Sequence, residues 1–355
     1  MKLTVSIVTE GDPDQISGGF LYQRRVAELA PAHGAEVRFV SLPARRYPLG
    51  AVHARRLLRA ATDADVVVVD SLASNTLGPW LARGIDRPLV GSVHQQLGGS
   101  EGSSLGRMTR RRADLLAWRT CRHIIVPSEL LAGQLRSDGL VGPDIVVVNP
   151  GSDIPEHDGP IRRDVDLRRG RQAAVLCVAS WLERKGILAL LEAVAELPGD
   201  LVTVHLVGNE DADRAYGARV LERLAREDLA GRVVRHGTVR PERMVDLYAA
   251  ADVFSLPSSE EPYGMVYAEA MTAGLPIVGW AAGNLPHLID DGVEGRLVAP
   301  GDVGSLSRGL AELAFDADLR RRLGTAAQRR AQDLPTWDDT TAGFVDVCRR
   351  ASRSA

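Results

Sequence analysis

The chain has 355 residues, 45% apolar and 25% charged, with 43 Lys and Arg against 46 Asp and Glu for a net charge of −3. That length is too great for one ordinary core and implies two domains of about 150–180 residues. The charge balance argues against a dedicated nucleic-acid binder, and the three scattered cysteines, Cys121, Cys177 and Cys348, argue against a disulfide framework or a CxxC metal site.

The chain opens on Leu3-Thr4-Val5-Ser6-Ile7-Val8 and reaches Glu10, Gly11 and Asp12 at once. The run is too short and too β-branched for a signal sequence and predicts a first buried strand. No stretch approaches the ~18 apolar residues that span a bilayer, so a cytoplasmic protein is expected. After this strand come Gly18 and Gly19, then a helical pattern. G-x-G-x-x-G and G-x-x-x-x-G-K-[ST] are both absent, which disfavours a dinucleotide enzyme. The two glycines either bring backbone N–H groups close to a phosphate or form an ordinary βα turn.

Further strands in the first half are predicted near Glu36–Ser41, Asp65–Val69, Pro88–Val93, His123–Val126 and Ile145–Val148. Val66–Val69 and Ile145–Val148 are apolar on both faces, as strands covered by helices on both sides should be. His94 stands at the carboxyl end of one strand, where open α/β sheets bind ligands; a structural histidine, the commoner role for a lone one, is the alternative. Arg107, Arg110, Arg111 and Arg112 lie among Leu105, Met108, Leu115, Leu116 and Trp118. This run predicts a helix that either touches an anionic lipid surface, for a peripheral membrane contact, or presents a solvated basic face.

A break at Asn149–Arg171, beginning Pro150-Gly151-Ser152-Asp153-Ile154-Pro155, reads as an interdomain linker. Strands resume near Ala174–Val178, Val202–Val207, Val233–His236, Val253–Leu256 and Pro276–Val278. Alternation of strands with helices in both halves predicts two doubly wound, Rossmann-like α/β domains facing one another across a cleft. The expected boundaries are 1–155 and 156–336, with a last helix of about 337–355 packing back on the first domain.

Three loops of the second half carry chemistry. Arg184 and Lys185 lie between a strand and a helix from about Ile187, where two cations and a helix N-terminus would meet a diphosphate; a solvated basic pair is the alternative. Glu261 and Glu269 stand eight positions apart, about 12 Å along a helix. That is too far for the paired acids of a glycoside hydrolase, and it suits two acceptors gripping separate hydroxyls of one ligand. A solvated acidic helix start is the alternative. Ala281-Ala282-Gly283-Asn284-Leu285-Pro286-His287 precedes a short helix and either wraps a ligand or makes a tight turn. Asp63/Asp65, Asp164/Asp166, Asp211/Asp213 and Asp316/Asp318 share no context and read as caps and turns, leaving no metal site.

The ordered set resembles the retaining glycosyltransferases of the GT-B fold, the large family four. The resemblance rests on Glu261 to Glu269 as the E-x7-E element, its continuation Ala270-Met271-Thr272-Ala273-Gly274-Leu275-Pro276, and Leu247–Ser258 upstream. Val148-Asn149-Pro150-Gly151-Ser152-Asp153 matches the domain junction and Leu334-Pro335-Thr336-Trp337 the final segment. It implies that Glu261 holds sugar hydroxyls and Glu269 the ribose hydroxyls of a nucleoside diphosphate sugar, the co-substrate, with no other cofactor and no metal. Backbone amides of Tyr263, Gly264, Met265 and Val266 would cover sugar and phosphates. Lys185 with Arg184 would neutralise the leaving diphosphate, Gly18 and Gly19 would close on it, and His94 would contact the sugar or orient the acceptor. Base recognition would fall near His236–Arg240, including Val239, largely through backbone. Ser180 stands where relatives carry Gly-Arg, and His287 where they carry glutamate, so both positions bear on donor recognition. The acceptor is small-molecule, glycan or lipid-linked. A GT-B nucleotide-sugar epimerase or phosphorylase, or a silent nucleotide-sugar-binding paralogue, are the rivals.

Overall fold

The computed structural model describes residues 2–12, 18–42, 59–81, 85–99, 104–152 and 166–353. It divides into two compact units, one of Met1–Gly151 with Pro335–Ala355 and the other of Ser152–Leu334. Asp164 and most of the expected linker lie outside the described residues.

The first unit is built on six parallel strands, β1 (Leu3–Glu10), β2 (Ala35–Leu42), β3 (Val66–Asp70), β4 (Leu89–Ser92), β5 (His123–Val126) and β6 (Asp144–Val147), in the order β2-β1-β3-β4-β5-β6. β3 is buried along its whole length, and Val5, Ile7 and Val8 of β1 are solvent-free. Helices on both faces leave no wet side for polar residues, which is why these strands read as unbroken apolar runs. The terminal helix Trp337–Arg353 belongs to this unit. Val345 packs with Ala30 and Ala35, Thr340 Oγ1 donates to the Asn149 carbonyl at 2.8 Å, and Arg349 donates to the His33 carbonyl at 3.0 Å.

The second unit repeats the plan with β7 (Ala173–Val178), β8 (Val202–Val207), β9 (Val233–Gly237), β10 (Val253–Ser255), β11 (Ile277–Trp280) and β12 (Gly295–Val298), all parallel, in the order β12-β11-β10-β7-β8-β9. β12 is absent from the sequence-based expectation. It is a four-residue strand at one end of the sheet order, paired with β11, and its Gly295 and Arg296 interrupt any apolar run. The glycine is required there, because a Cβ would stand 2.0 Å from the Ile277 carbonyl oxygen.

In each sheet the strand order reverses once, between β1 and β3 in the first unit and between β7 and β10 in the second. At such a switch point the loops leaving adjacent strands diverge to opposite faces and open a crevice at the strands' carboxyl ends.

Candidate functional site

The second unit's switch point is formed by the loop after β7 and the loop after β10, and these are locked together through the backbone. The first carries Ala179 and Trp181, whose N–H groups donate to Val207 and Asn209 carbonyls at 2.8 Å each, then a single 3-10 turn, Glu183–Lys185. The turn ends on Gly186 at φ +70, where a Cβ would lie 2.0 Å from the Pro257 carbonyl oxygen. Only glycine lets the two backbones approach that closely. The Arg184 carbonyl in turn accepts from Ser259 N–H at 2.8 Å, Ser258 Oγ at 3.0 Å and Ser259 Oγ at 3.2 Å. From the other side Gly283, at φ +55, lies against the Glu261 backbone, and Asn284 N–H donates to the Glu261 carbonyl at 2.9 Å. Asn284 Nδ2 completes the clamp on the Tyr263 carbonyl at 3.0 Å.

This clamp buries Glu261, only 7% exposed, and delivers it to two cations. Lys185 Nζ donates to Glu261 Oε1, and Arg184 Nη1 stands 4.0 Å from the same oxygen while donating to the Glu260 carbonyl at 3.0 Å. Both alternatives of a solvated acid and a solvated basic pair are therefore set aside: the Lys185 side chain is 14% exposed. Glu260, half-buried beside this cluster, has its carboxyl raised by burial, opposed by Arg184 and Lys185.

The helical ruler for Glu261 and Glu269 does not hold. The helix runs Met265–Thr272 and starts behind Gly264 at φ +91, so Glu269 is on it and Glu261 is in the preceding loop. Pro262 and Gly264 are the reason, since neither continues a helix backward. Glu269 meets a different partner. Tyr248 donates its hydroxyl to Glu269 Oε2 at 2.8 Å, and burial pushes the Glu269 carboxyl up to about 7 against the lowering effect of that bond. Tyr248 itself is buried and its phenol is raised by burial and by Glu269. The sequence gives Tyr248 as part of a matching stretch, but a partner 21 positions away has no local signal.

Tyr263 is buried beside Glu261, and its hydroxyl, raised to about 12 by burial, has no hydrogen-bond partner among the described residues. Gly264 needs its missing Cβ to clear the Tyr267 ring at 2.5 Å. Met265, Val266 and Val239 are half-buried against the unit's core, and Ser180 accepts from Leu182 N–H at 2.8 Å. His287 is exposed. His236 is half-buried: His205 Nδ1 and His236 Nε2 share a hydrogen bond of 2.9 Å, and burial with His205 and Arg243 nearby pushes His236 down to about 4.

In the first unit, Gly18 and Gly19 are the opening residues of the helix Gly18–Leu29 and not a turn before it. Gly19 passes His94, to whose ring a Cβ would come within 3.8 Å. His94 is fixed by Ser92 Oγ at 2.9 Å from Nε2, by Ser71 Oγ at 3.3 Å from its N–H, and by the Tyr22 ring at a centroid distance of 4.8 Å. Burial lowers its pKa, opposed by Asp70, so the imidazole is neutral near pH 7. Asp70 accepts from Thr9 Oγ1 at 2.5 Å. Ser71, Ser92 and Asp70 were not singled out from the sequence; Asp70 and Ser92 are the last residues of their strands and Ser71 the first beyond β3, positions that the switch-point rule could have flagged. No group of three or more His, Cys, Asp or Glu side chains able to hold a metal occurs among the described residues. Asp213 and Asp316 cap helices, as their spacing suggests.

Two Rossmann-like units of this strand order, with the buried acid and cations at the second switch point, define the class: a GT-B glycosyltransferase fold. Comparison agrees. Residues 160–330 match the family model for glycosyl transferases group 1, and residues 1–151 match the glycosyl transferase 4-like domain. The chain belongs to the group 1 glycosyltransferases. A D-inositol 3-phosphate glycosyltransferase from Xylanimonas cellulosilytica is 33% identical over 65% of this chain and 59% of its own length. One from Streptomyces coelicolor is 35% identical over 48% of this chain and 37% of its own. The matches thus span little more than half the length of these curated relatives at most. Among solved structures, sucrose-phosphate synthase from Thermosynechococcus elongatus superposes with a TM-score of 0.85 at 23% identity, covering 99% of this chain and all of its own. Anabaena Alr3699/HepE in complex with UDP-glucose gives 0.82 at 21% identity, covering 98% of this chain and all of its own.

Proposed function

We propose that the protein is a cytoplasmic retaining glycosyltransferase that moves a sugar from a nucleoside diphosphate sugar to an acceptor hydroxyl. The observation that carries this reading is the Glu261–Lys185–Arg184 cluster at the switch point of the second unit. Cleavage of the donor leaves a diphosphate anion and an oxocarbenium-like sugar. Lys185 and Arg184, held in a half-buried site, would stabilise the anion without a bound cation. Glu261, fixed by its backbone clamp, would accept from sugar hydroxyls and orient Lys185 at once. Glu269 would accept from the ribose, Ser180 and the amides of Tyr263–Val266 would meet sugar and phosphates, and Val239 would border the base. Gly18, Gly19 and His94 would serve the phosphate and the acceptor side.

The route consistent with the family resemblance is a same-face one, in which the leaving phosphate takes the acceptor proton. The Anabaena neighbour's bound UDP-glucose makes a UDP-sugar the first donor to try, and the names of the curated relatives make a phosphorylated cyclitol the first acceptor. Nucleotide release from UDP-, GDP-, ADP- and dTDP-sugars with and without candidate acceptors tests the reading. Acceptor-dependent release supports transfer; release with no acceptor, or interconversion of the donor sugar, would overturn it.

A further inference from the structure

The helix Ser104–Trp118 has two faces of opposite character, and the group-transfer chemistry uses neither. Its inner face is pinned. Gly78 of a neighbouring helix lies against Ala113, where a Cβ would come within 2.4 Å of the carbonyl oxygen. Asp114, 5% exposed, accepts from Ser74 Oγ at 2.6 Å and Gly98 N–H at 2.7 Å, and Arg110 donates to the Gly98 carbonyl at 2.9 Å. Ala117 and Trp118 are buried behind them.

The outer face is apolar and basic. Leu105 is 68% exposed, Met108 48% and Leu116 46%. With Arg112 they occupy positions that fall within an arc of about 80° at 3.6 residues per turn. Arg119, just past the helix end, continues the stripe and donates to the Gly139 carbonyl at 3.4 Å, while Arg111 on the flank is exposed but paired with Asp138 at 2.9 Å, and Arg107 is exposed further round the helix. The helix's only acidic residue is Asp114, on the buried side. Three exposed large apolar side chains in one stripe are unusual on a soluble surface. Their arginine neighbours fit an anionic surface with acyl chains beneath its headgroups, and a neutral apolar protein partner would leave those cations desolvated.

We propose that this face docks the protein on an anionic lipid surface, the helix lying in the headgroup plane with Leu105, Met108 and Leu116 inserted. The rigid inner face means that the stripe is presented already formed, with no folding on contact. Nothing in this proposal depends on the donor assignment.

The test is co-sedimentation of the full chain with vesicles of phosphatidylcholine alone and of phosphatidylcholine with phosphatidylglycerol, at about 0.05 M and about 0.5 M salt. Binding is expected on the anionic vesicles at low salt, with loss at high salt and little on neutral ones. Arg112→Glu and the pair Leu105→Ser with Leu116→Ser should each weaken it. About fivefold is expected for each arginine charge removed. All these positions are exposed, so melting temperature and transfer to a water-soluble acceptor should not change. No binding to either vesicle, equal binding to both, or variants that bind as the parent does would overturn the proposal. So would a dimer in sedimentation equilibrium that the Leu116 variant dissociates, since a second copy would then cover the stripe.

Discussion

Lys185 and Glu261 are largely buried, with side chains 14% and 9% exposed, and form an ion pair. Removing one leaves a stranded charge, so the site's function and its local stability are tied. Lys185→Ala and Glu261→Gln should each lower sugar transfer by about 100-fold or more, in the range seen when a preorganised electrostatic group is deleted. Lys185→Arg should recover part of it. Steady-state kinetics with circular dichroism as the folding control reads both. Glu269 makes a second, independent prediction. Its carboxyl is raised from 4.5 to about 7 in the fold, so it is neutral below that pH and ionised above. If the ionised form accepts the ribose hydroxyls, donor affinity rises as pH climbs through 7, by at most tenfold per unit. Tyr248→Phe removes a bond that lowers the Glu269 pKa, so the midpoint should move to higher pH; Glu269→Gln should abolish the dependence. Stability runs the other way. The folded carboxyl resists ionisation while the unfolded one does not, so the native state loses stability as pH rises from about 4.5 to about 7. Donor binding across that pH range, by titration calorimetry, separates the two effects. A flat affinity profile in the parent would contradict the Glu269 role.

The loops after β7 and β10 owe their shape to glycines whose missing side chains are occupied by backbone. Gly186→Ala would combine a positive φ with a Cβ against the Pro257 carbonyl, and should cost about 2–4 kcal/mol, a melting shift of several degrees. Gly139→Ala has the same sign of φ with nothing within 4 Å and should cost only about 1–2 kcal/mol of backbone strain. If the two melt alike, the close approach at Gly186 is not what holds the site. At this scale the sequence was legible in part. The loop holding Arg184 and Lys185, the short helix at Leu285 and the helix carrying the arginines follow from strand ends and turn residues. The helical ruler between Glu261 and Glu269 failed because Pro262 and Gly264 break the backbone between them, and spacing is a distance only where the conformation is continuous. β12 was hidden because a four-residue edge strand opening on Gly295 and Arg296 shows neither an apolar run nor alternation.

Over the whole molecule, strand–helix alternation and strands apolar on both faces carried the fold, since only a doubly wound parallel sheet buries both sides. The partners of the site residues were not carried that way. Tyr248 for Glu269, Ser92 and Tyr22 for His94, and His205 for His236 are juxtapositions made by packing, and a single sequence has no marker for them. The last helix, Trp337–Arg353, covers apolar surface around Ala30, Ala35 and Tyr22 in the first unit. Deleting residues 335–355 should therefore give an aggregating protein that binds a hydrophobic dye; a soluble monomer with the parent's melting temperature would contradict that packing. The central claim, that Lys185, held by Glu261, grips the diphosphate of a nucleotide sugar, is tested most directly by titrating UDP-glucose into the parent and into Lys185→Ala in a calorimeter. Saturable binding by the parent, weakened at least about tenfold in a folded variant, is the predicted result. Equal affinity in both proteins would contradict it.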